Sequence, residues 1–516
     1  MAAFTSEFDE QVEELMKEFH VPGISIAIVK KDDIQAKGYG YAKLSSDDKV
    51  TADTLFDCAS TSKSFTASAV ALLVQDDEKF PDVHWDTPVS KLLPDDFVLA
   101  DPMYTEHVTI EDILSHRSGM PRHDESYFSY RGANPDTPKS ITRNLRNLPL
   151  SRPLRVEHQY CNIMYTAASY LVETLSGQSY AEFLKTRFWE PLGMTNTFHD
   201  ICEVQAGNAT DRLAQAYTWV KKKETYKPIP MFNQPEGTGA GCIFSCANDY
   251  AKWIQTMIKR GGPLSEESHT ELRRPRSIPL EDEDDDVPFL SPALYAMGWS
   301  TESYRGIPVV AHDGSVPGFS SVMRFLPKQE WGIVVFGNSN HAWKVAEAVF
   351  KRLMDDLLRV PVDDRVDWAK YYRDLTKKWA AEAEEEKESN PYKTVPDPKL
   401  PLSVPVEALV GKYWHPGYKE ITLRVADGKL RTDCFDRCTP FVIGFEHFSG
   451  TLFIAELIDL DEDDCKTPET VFEAYSDYAR KQKSEFKIDS SGKVESLGIE
   501  FGDEKDPMIW FKKLDS

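Results

Sequence analysis

The stretch Phe56-Asp57-Cys58-Ala59-Ser60-Thr61-Ser62-Lys63-Ser64-Phe65-Thr66 decides the reading of this chain. It leads into Ala67-Ser-Ala-Val-Ala-Leu-Leu-Val-Gln75, a run of good helix formers. Ser60 is therefore expected at the start of a buried helix, with Lys63 one turn further along the same face. A serine hydroxyl is a weak nucleophile and needs a base within hydrogen-bond reach. A lysine becomes that base when burial lowers its pKa, and a helix N-terminus favours developing negative charge. The stretch has the parts for covalent acyl transfer. Spacing alone does not single it out, because Ser46…Lys49, Ser484…Lys487 and Ser490…Lys493 share it. Those three lie in polar, turn-like sequence that suits caps and solvated surface.

With 516 residues the chain is too long for one typical core, and two domains are expected. Hydrophobic content of 41% and aromatic content of 11% fit a globular protein. A net charge of −24 argues against nucleic-acid binding, which needs basic surface. The eight cysteines form no Cys-x-x-Cys pair, and the two Cys-x-x-x-Cys pairs have no histidines at zinc-site spacing, so thiols rather than metal ligands are expected. The first residues carry no apolar signal core, and no stretch is long and apolar enough to span a bilayer. A cytoplasmic location with reduced thiols is the expectation.

Along the chain, Thr5 to His20 reads as an amphipathic helix, and Ile24–Lys30 with Ile34–Ala42 as two antiparallel strands. Residues 80–240 mix short helices with loops marked by Pro and Gly. Among these, Arg122 to Lys139 carries Tyr127, Phe128 and Tyr130 and is a candidate lid. A helix starts near Asn162 and stops at Ser176-Gly177. Gly237-Thr-Gly-Ala-Gly241 lacks the strand and the full fingerprint of a phosphate loop and is set aside as one. The acidic run Glu281–Asp286 reads as a solvated loop.

Strands return at Pro308–His312, Ser321–Leu326 and Trp331–Phe336, followed by a helix from about His341 to Leu358. Strands at both ends of the segment with helices between them mean α+β, one antiparallel sheet flanked by helices plus a helical region. Asp363 to Glu388 looks helical, and the Pro-rich stretch from Asn390 reads as a linker. Short alternating strands then suggest an all-β barrel or sandwich, including Ile421–Val425, an Asp427-Gly turn and Thr451–Leu457. The division expected is 1–378 for a catalytic domain, 379–401 for a charged and Pro-rich linker and 402–516 for the β-domain.

Three more stretches supply what Ser60 needs. Tyr160-Cys161-Asn162 sits at the mouth of the second good helix. A phenol serves as base and acid when nearby cations depress its pKa. Asn162 would bond Lys63 or a substrate amide. The alternative is a core tyrosine beside a helix-starting asparagine. His312-Asp313-Gly314-Ser315 leaves a strand. There Gly314 would let a substrate backbone approach. The amides of Ser60 and Ser315 would form an oxyanion hole. His312 would line the pocket and bond the phenol, unless it is simply a satisfied loop histidine. His415-Pro-Gly417 has the same pattern in the β-domain. Phe319, after Gly318, would shape the pocket wall.

Taken together, these motifs resemble the serine β-lactamase and penicillin-binding-protein superfamily. The likeness is to its class C β-lactamase-like branch, with D-aminopeptidase, D-Ala-D-Ala carboxypeptidase, esterase and transesterase relatives. It rests on Ser60-Thr-Ser-Lys63, Tyr160-Cys-Asn162 and His312-Asp-Gly314. Supporting stretches are Ile113-Leu-Ser-His-Arg-Ser-Gly-Met-Pro121, Pro191-Leu-Gly-Met-Thr195 and Gly239–Asp249. Leu409-Val-Gly-Lys-Tyr413 and the strand pattern make the last domain similar to a lipocalin-like barrel. The resemblance implies a β-lactamase/transpeptidase-like fold with Ser60 as nucleophile and with Lys63 and Tyr160 sharing its proton. It also implies a serine hydrolase acting on a small ester or amide through an acyl-enzyme, with no cofactor or metal. An acyltransferase using a metabolite acceptor is the near alternative, and a non-catalytic binding or scaffold protein the distant one.

Three departures bear on substrate. His312 stands where many β-lactamases have a lysine that grips the drug carboxylate. Asp313 replaces the common Thr or Ser and would repel an anion if it points inward. Cys161 stands where Ser is frequent. Esterase or D-amino-acid peptidase/amidase chemistry is therefore favoured over β-lactam hydrolysis.

Overall fold

A computed structural model describes residues 4–515 except 232–233, 235–236, 280–286, 389, 395, 427 and 461–479. The acidic run Glu281–Asp286, Asp427 of the expected turn and Cys465 lie outside the described residues.

The first strands are β1 (Gly23–Lys30) and β2 (Asp33–Lys43), preceded by helix α1 (Ser6–Glu18). The helix carrying the Ser-x-x-Lys pair is α2 (Lys63–Val74), entered through a short 3-10 turn, Ala59–Ser62. Helices α3 (Asn162–Ser176) and α4 (Ala247–Lys259) follow, then strands β3 (Ser300–Tyr304), β4 (Ile307–Val316), β5 (Phe319–Leu326) and β6 (Trp331–Gly337). Helix α5 (Ala342–Leu357) closes the segment. Among the described residues the sheet has eight strands in the order Asp48–Lys49, β2, β1, β6, β5, β4, β3, Leu294–Tyr295. Strands from both ends of the segment meet where β1 pairs with β6, Ile24 opposite Gly337 through Lys30 opposite Trp331.

Side chains of a strand alternate between faces. Ile24, Ile26 and Ile28 of β1 join Val309, Ala311 and Val322 under α1 and α5. Ala27 and Val29 join Val310, Met323 and Phe336 against α4 and the helical region. The same parity places His312 and Gly314 on the helical-region face and Asp313 on the α5 face. Strand β3 pairs with β4 only from Ile307 to Ala311. Beyond Ala311 that edge of β4 has no strand neighbour among the described residues, and the turn bearing Ser60 packs against β4.

Helix α6 (Trp368–Glu388) carries helical backbone past residue 379. Strands β7 (Gly411–His415), β8 (Lys419–Ala426), β9 (Lys429–Cys434), β10 (Phe441–Ser449), β11 (Leu452–Asp459), β12 (Arg480–Ile488), β13 (Val494–Ile499) and β14 (Ile509–Lys513) form a closed barrel. Every strand pairs with its neighbour in sequence, and β14 closes on β7. This is the up-and-down topology of lipocalin barrels. Eight strands leave room for little beyond side chains, and Tyr413, Leu423, Phe445, Phe453, Phe486 and Phe511 are buried there.

The stretch read as a lid, Arg122 to Lys139, is a docking arm instead. Ser129 N–H donates to Asp436 O (3.0 Å), and Cys438 N–H donates to Tyr127 O (3.1 Å). Arg131 donates from Nε to Phe435 O and from Nη2 to Arg437 O, both at 3.0 Å. Two of the three aromatics that suggested a lid serve this seam: Tyr127 is buried, and the Phe128 ring lies 3.8 Å from the Arg437 guanidinium carbon, whereas Tyr130 is exposed. Replacing Arg131 with Ala strips the carbonyls of Phe435, Arg437 and Cys438 of a charged donor, a loss of about 1–3 kcal/mol for each group left unsatisfied. Arg131→Ala should therefore speed hydrogen exchange at the Ser129 and Cys438 amides; unchanged protection there would contradict the docking role.

Candidate active site

Lys63 lies on the first turn of α2 and has no solvent exposure. Its Nζ hydrogen-bonds to Ser60 Oγ (3.0 Å), Asn162 Oδ1 (2.9 Å) and Ala240 O (2.7 Å). Burial pushes the amine well below its ordinary pKa, the Arg122 charge adds to that, and Asp124 opposes it. The hydrogen-bond shell suits the neutral form equally well. An amine has two N–H donors for the two carbonyl oxygens and one lone pair, and of the three partners only Ser60 has a proton to give.

Ser60 is held by strain and by packing. Ala59 before it adopts φ 46°, rare for a residue with a Cβ. Its N–H donates to Asp57 Oδ1 (2.8 Å), and burial pushes that carboxyl up to about 6. From the other side comes Gly314. A Cβ there would lie 2.3 Å from Ser321 Oγ, 2.6 Å from Cys58 O and 2.9 Å from Ser60 N. The space along the Cβ direction of Gly314 is thus filled by the nucleophile's own turn.

Tyr160 borders Ser60 just ahead of α3. Burial raises its phenol pKa, while the Ser60 hydroxyl and the Arg122 guanidinium pull it down. Lys63 Nζ lies 4.8 Å and the Arg122 guanidinium carbon 5.4 Å from the centre of its ring. The ring also rests on His116 at 4.1 Å. His116 Nδ1 accepts from the Cys161 N–H (3.1 Å), which leaves the proton on Nε2, and burial keeps the imidazole neutral. Cys161 is buried with its thiol against Pro121 O (3.3 Å).

His312 departs from expectation. It is buried, and its Nε2 pairs with Tyr295 Oη (2.9 Å) rather than with the Tyr160 phenol. Its Nδ1 lies 2.7 Å from Asp313 O. Burial and the Lys63 charge lower its pKa to about 3. It presents no cation to a substrate. Asp313, on the opposite face of β4, pairs with Arg324 (2.9 Å from Nη2), which also holds Glu347 (2.7 Å). Strand alternation therefore turns Asp313 away from the pocket.

Ser60, Asn162, Ser315 and Phe319 line one cavity of about 170 Å³, together with Asp57, Arg122, Asp124, Met231 and Cys242. Cys438 and Thr439 of the barrel complete its wall. Asp124 was not foreseen as a site residue. It accepts from Asn162 Nδ2 (3.3 Å) and from Arg122 Nε (2.9 Å), linking Lys63 to Arg122 through Asn162. Ala240 was not foreseen either, because it acts through its carbonyl. Gly239 at φ 87° makes the bend, and a Cβ there would lie 2.4 Å from Tyr165 O. The glycine-rich segment offers acceptors to a cation rather than N–H donors to a phosphate. Among the described residues, no group of three or more His, Cys, Asp and Glu side chains is placed to hold a metal ion.

The Beta-lactamase family model matches residues 8–354. The chain belongs to the Beta-lactamase family. It is a β-lactamase-like serine hydrolase with a C-terminal barrel, and residues 396–513 match a second model, described as a domain of unknown function, DUF3471. The chain is 36% identical over 516 residues to an unguisins hydrolase of Aspergillus campestris, covering 98% of this chain and 91% of that protein. It shares its fold with the octameric penicillin-binding protein homologue from Pyrococcus abyssi at 21% identity, covering 98% and 99% of the two chains with a TM-score of 0.58. It also resembles the D-amino acid amidase from Ochrobactrum anthropi SV3 at 21% identity, covering 65% of this chain and 92% of that one with a TM-score of 0.52.

Gly314→Ala is expected to displace the Ser60 turn and to cut fluorophosphonate labelling of Ser60 by about 10²-fold, the cost of misplacing a reacting group by an ångström. Thermal melting would report whether the variant still folds; a folded variant that labels at the normal rate would refute the packing argument.

Proposed function

We propose that the enzyme cleaves an ester or amide through an acyl-enzyme on Ser60, with Lys63 as base and Tyr160 as proton donor to the leaving group. The observation that carries this reading is the fully buried Lys63 amine, 3.0 Å from Ser60 Oγ and with a depressed pKa. The neutral amine takes the Ser60 proton as Oγ attacks the substrate carbonyl. The resulting oxyanion is held by the amides of Ser60 and Ser315. Support for that pair is their shared cavity and the place of Ser60 in the first turn of a helix, where N–H groups lack partners within the helix. The Tyr160 phenol protonates the leaving group and regains a proton from Lys63. Water, activated by the reverse route, then releases the acid. Asn162 and Phe319 contribute the amide contact and the apolar wall to the substrate.

An amide or ester substrate fits better than a β-lactam drug. The family's carboxylate-gripping cation is missing, since His312 is buried and neutral above about pH 3. The full-length relative bears the name of a hydrolase, which favours water as acceptor. An alcohol or amine in place of water would make the same acyl-enzyme a transferase. Product analysis with and without an added acceptor separates the two. A binding protein without catalysis would have no use for a lysine of lowered pKa sealed against a serine. Residues 1–378 would act as the catalytic unit, 379–401 as the join and 402–516 as the accessory barrel. Cys58, Cys161, Cys246 and Cys434 are buried free thiols, which suits a reducing cytoplasm. No helix among the described residues is long and apolar enough to cross a membrane.

Ser60→Ala should abolish the acyl adduct seen by intact-mass spectrometry after incubation with a mixed ester and peptide library; a surviving adduct would move the nucleophile elsewhere. Tyr160→Phe should lower turnover about 10²–10⁴-fold, and near-normal turnover would remove it from the mechanism. Acylation should rise with pH as Lys63 loses its proton, along a limb centred well below the ordinary lysine value of about 10.4. The sign follows from burial, which favours the neutral, basic amine. A limb at the ordinary value would mean that the lysine is not the base.

A further inference from the structure

A second and much larger cavity lies between the catalytic domain and the barrel, with a volume of about 1170 Å³ among the described residues. Arg122, Asp124 and Thr439 line both cavities. Ser60 and Ser315 face only the small one, whereas Tyr160 faces only the large one. The reacting hydroxyl and the phenol that serves the leaving group, hydrogen-bonded to each other, thus border different cavities, and the Arg122–Asp124 pair lines both. Pockets for drug-sized ligands run to about 300–1,000 Å³. The small cavity falls below that range and the large one lies just above it.

We infer that the substrate is divided at its scissile bond, with a compact acyl group in the small cavity and a peptide-sized leaving group in the large cavity beneath the barrel. This deepens the acyl-enzyme reading and rests on it. The chemistry of the wall suits a peptide. Gln159 and Gln482 offer amide donors and acceptors, and Phe441, Phe501 and Ile509 offer apolar surface. Its bases are engaged. Arg152 holds Glu157 and Asp506 (3.1 Å each), and Arg480 holds Glu125 (3.4 Å) and Asp459 (3.3 Å). With the Arg122–Asp124 pair set aside, six acidic residues face three basic ones. A neutral or cationic leaving group is therefore preferred to an anionic one. More than half of this wall comes from the barrel, which makes the barrel part of the substrate site and not only a stabilising appendage.

Two series of thioesters, followed by thiol release with the full-length protein, test this. In one, an acetyl group is joined to mercaptoacetyl-(Ala)n-amide with n from 0 to 4. In the other, acetyl-(Ala)n is joined to mercaptoacetamide. Both are made with L- and with D-alanine. The expected result is that kcat/KM rises at least tenfold as the leaving group lengthens, falls as the acyl group lengthens, and is higher for a leaving group ending in Lys than for one ending in Glu. Gln482→Trp should lower the ratio of kcat/KM for the longest leaving group to that for the shortest by about tenfold. A rise on the acyl side, or no dependence on leaving-group length, would overturn the inference while leaving the acyl-enzyme intact. Thiol release no faster than with Ser60→Ala for every substrate would overturn the acyl-enzyme reading itself.

Discussion

The structure depends on one desolvated amine. Lys63 is sealed from water with two carbonyl oxygens and one hydroxyl around it. A permanent charge in such a place costs several kcal/mol unless it is paired. Among the described residues no carboxylate hydrogen-bonds the amine, and Asp124 stands one residue removed through Asn162. The lysine is therefore balanced between a charged form that its acceptors tolerate and a neutral form that burial favours. That balance is what an acid–base catalyst needs, and it comes from packing as much as from chemistry.

Much of the remaining architecture can be understood as support for this arrangement. The sheet brings β4 to the Ser60 turn with its edge beyond Ala311 unpaired by any strand among the described residues. Gly314 removes the one Cβ that would keep the two backbones apart. Helix α3 places Asn162 on its first turn, against the lysine, with Tyr160 just ahead of it. Gly239 bends the chain so that the Ala240 carbonyl reaches the third hydrogen-bonding position. These segments lie far apart in sequence, so the site exists only when the helical region and the sheet are both closed around it.

The barrel adds a second layer. Its interior is packed with aromatic side chains and offers little room for a ligand. Its role is at its surface, where the segment 435–439 clamps the Arg122–Lys139 arm and reaches the active-site wall. Arg122 and Asp124, which tune the lysine and the phenol, stand at the base of that arm. The accessory domain is thereby coupled to the chemistry by ordinary backbone hydrogen bonds.

Periodicity in the sequence determined the α+β class, the strands at both ends of the catalytic segment and the β-domain, while motif order and the family resemblance picked out Ser60, Lys63, Tyr160 and Asn162 as candidates. These are legible because they rest on local rules: helical spacing, strand alternation and side-chain chemistry at short range. Only tertiary structure decided the rest. His312 turned to Tyr295 because β4 carries it under the helical region, and Asp313 turned outward because strand neighbours face opposite ways. Gly314 made room for the Ser60 turn, and Tyr127 and Phe128, which looked like part of a lid, became part of a domain seam. Ala240 and Asp124 joined the site through a backbone carbonyl and a loop carboxylate, neither of which has a sequence signature. Such contacts join residues from 11 to more than 300 positions apart, and no local pattern encodes which of them will meet.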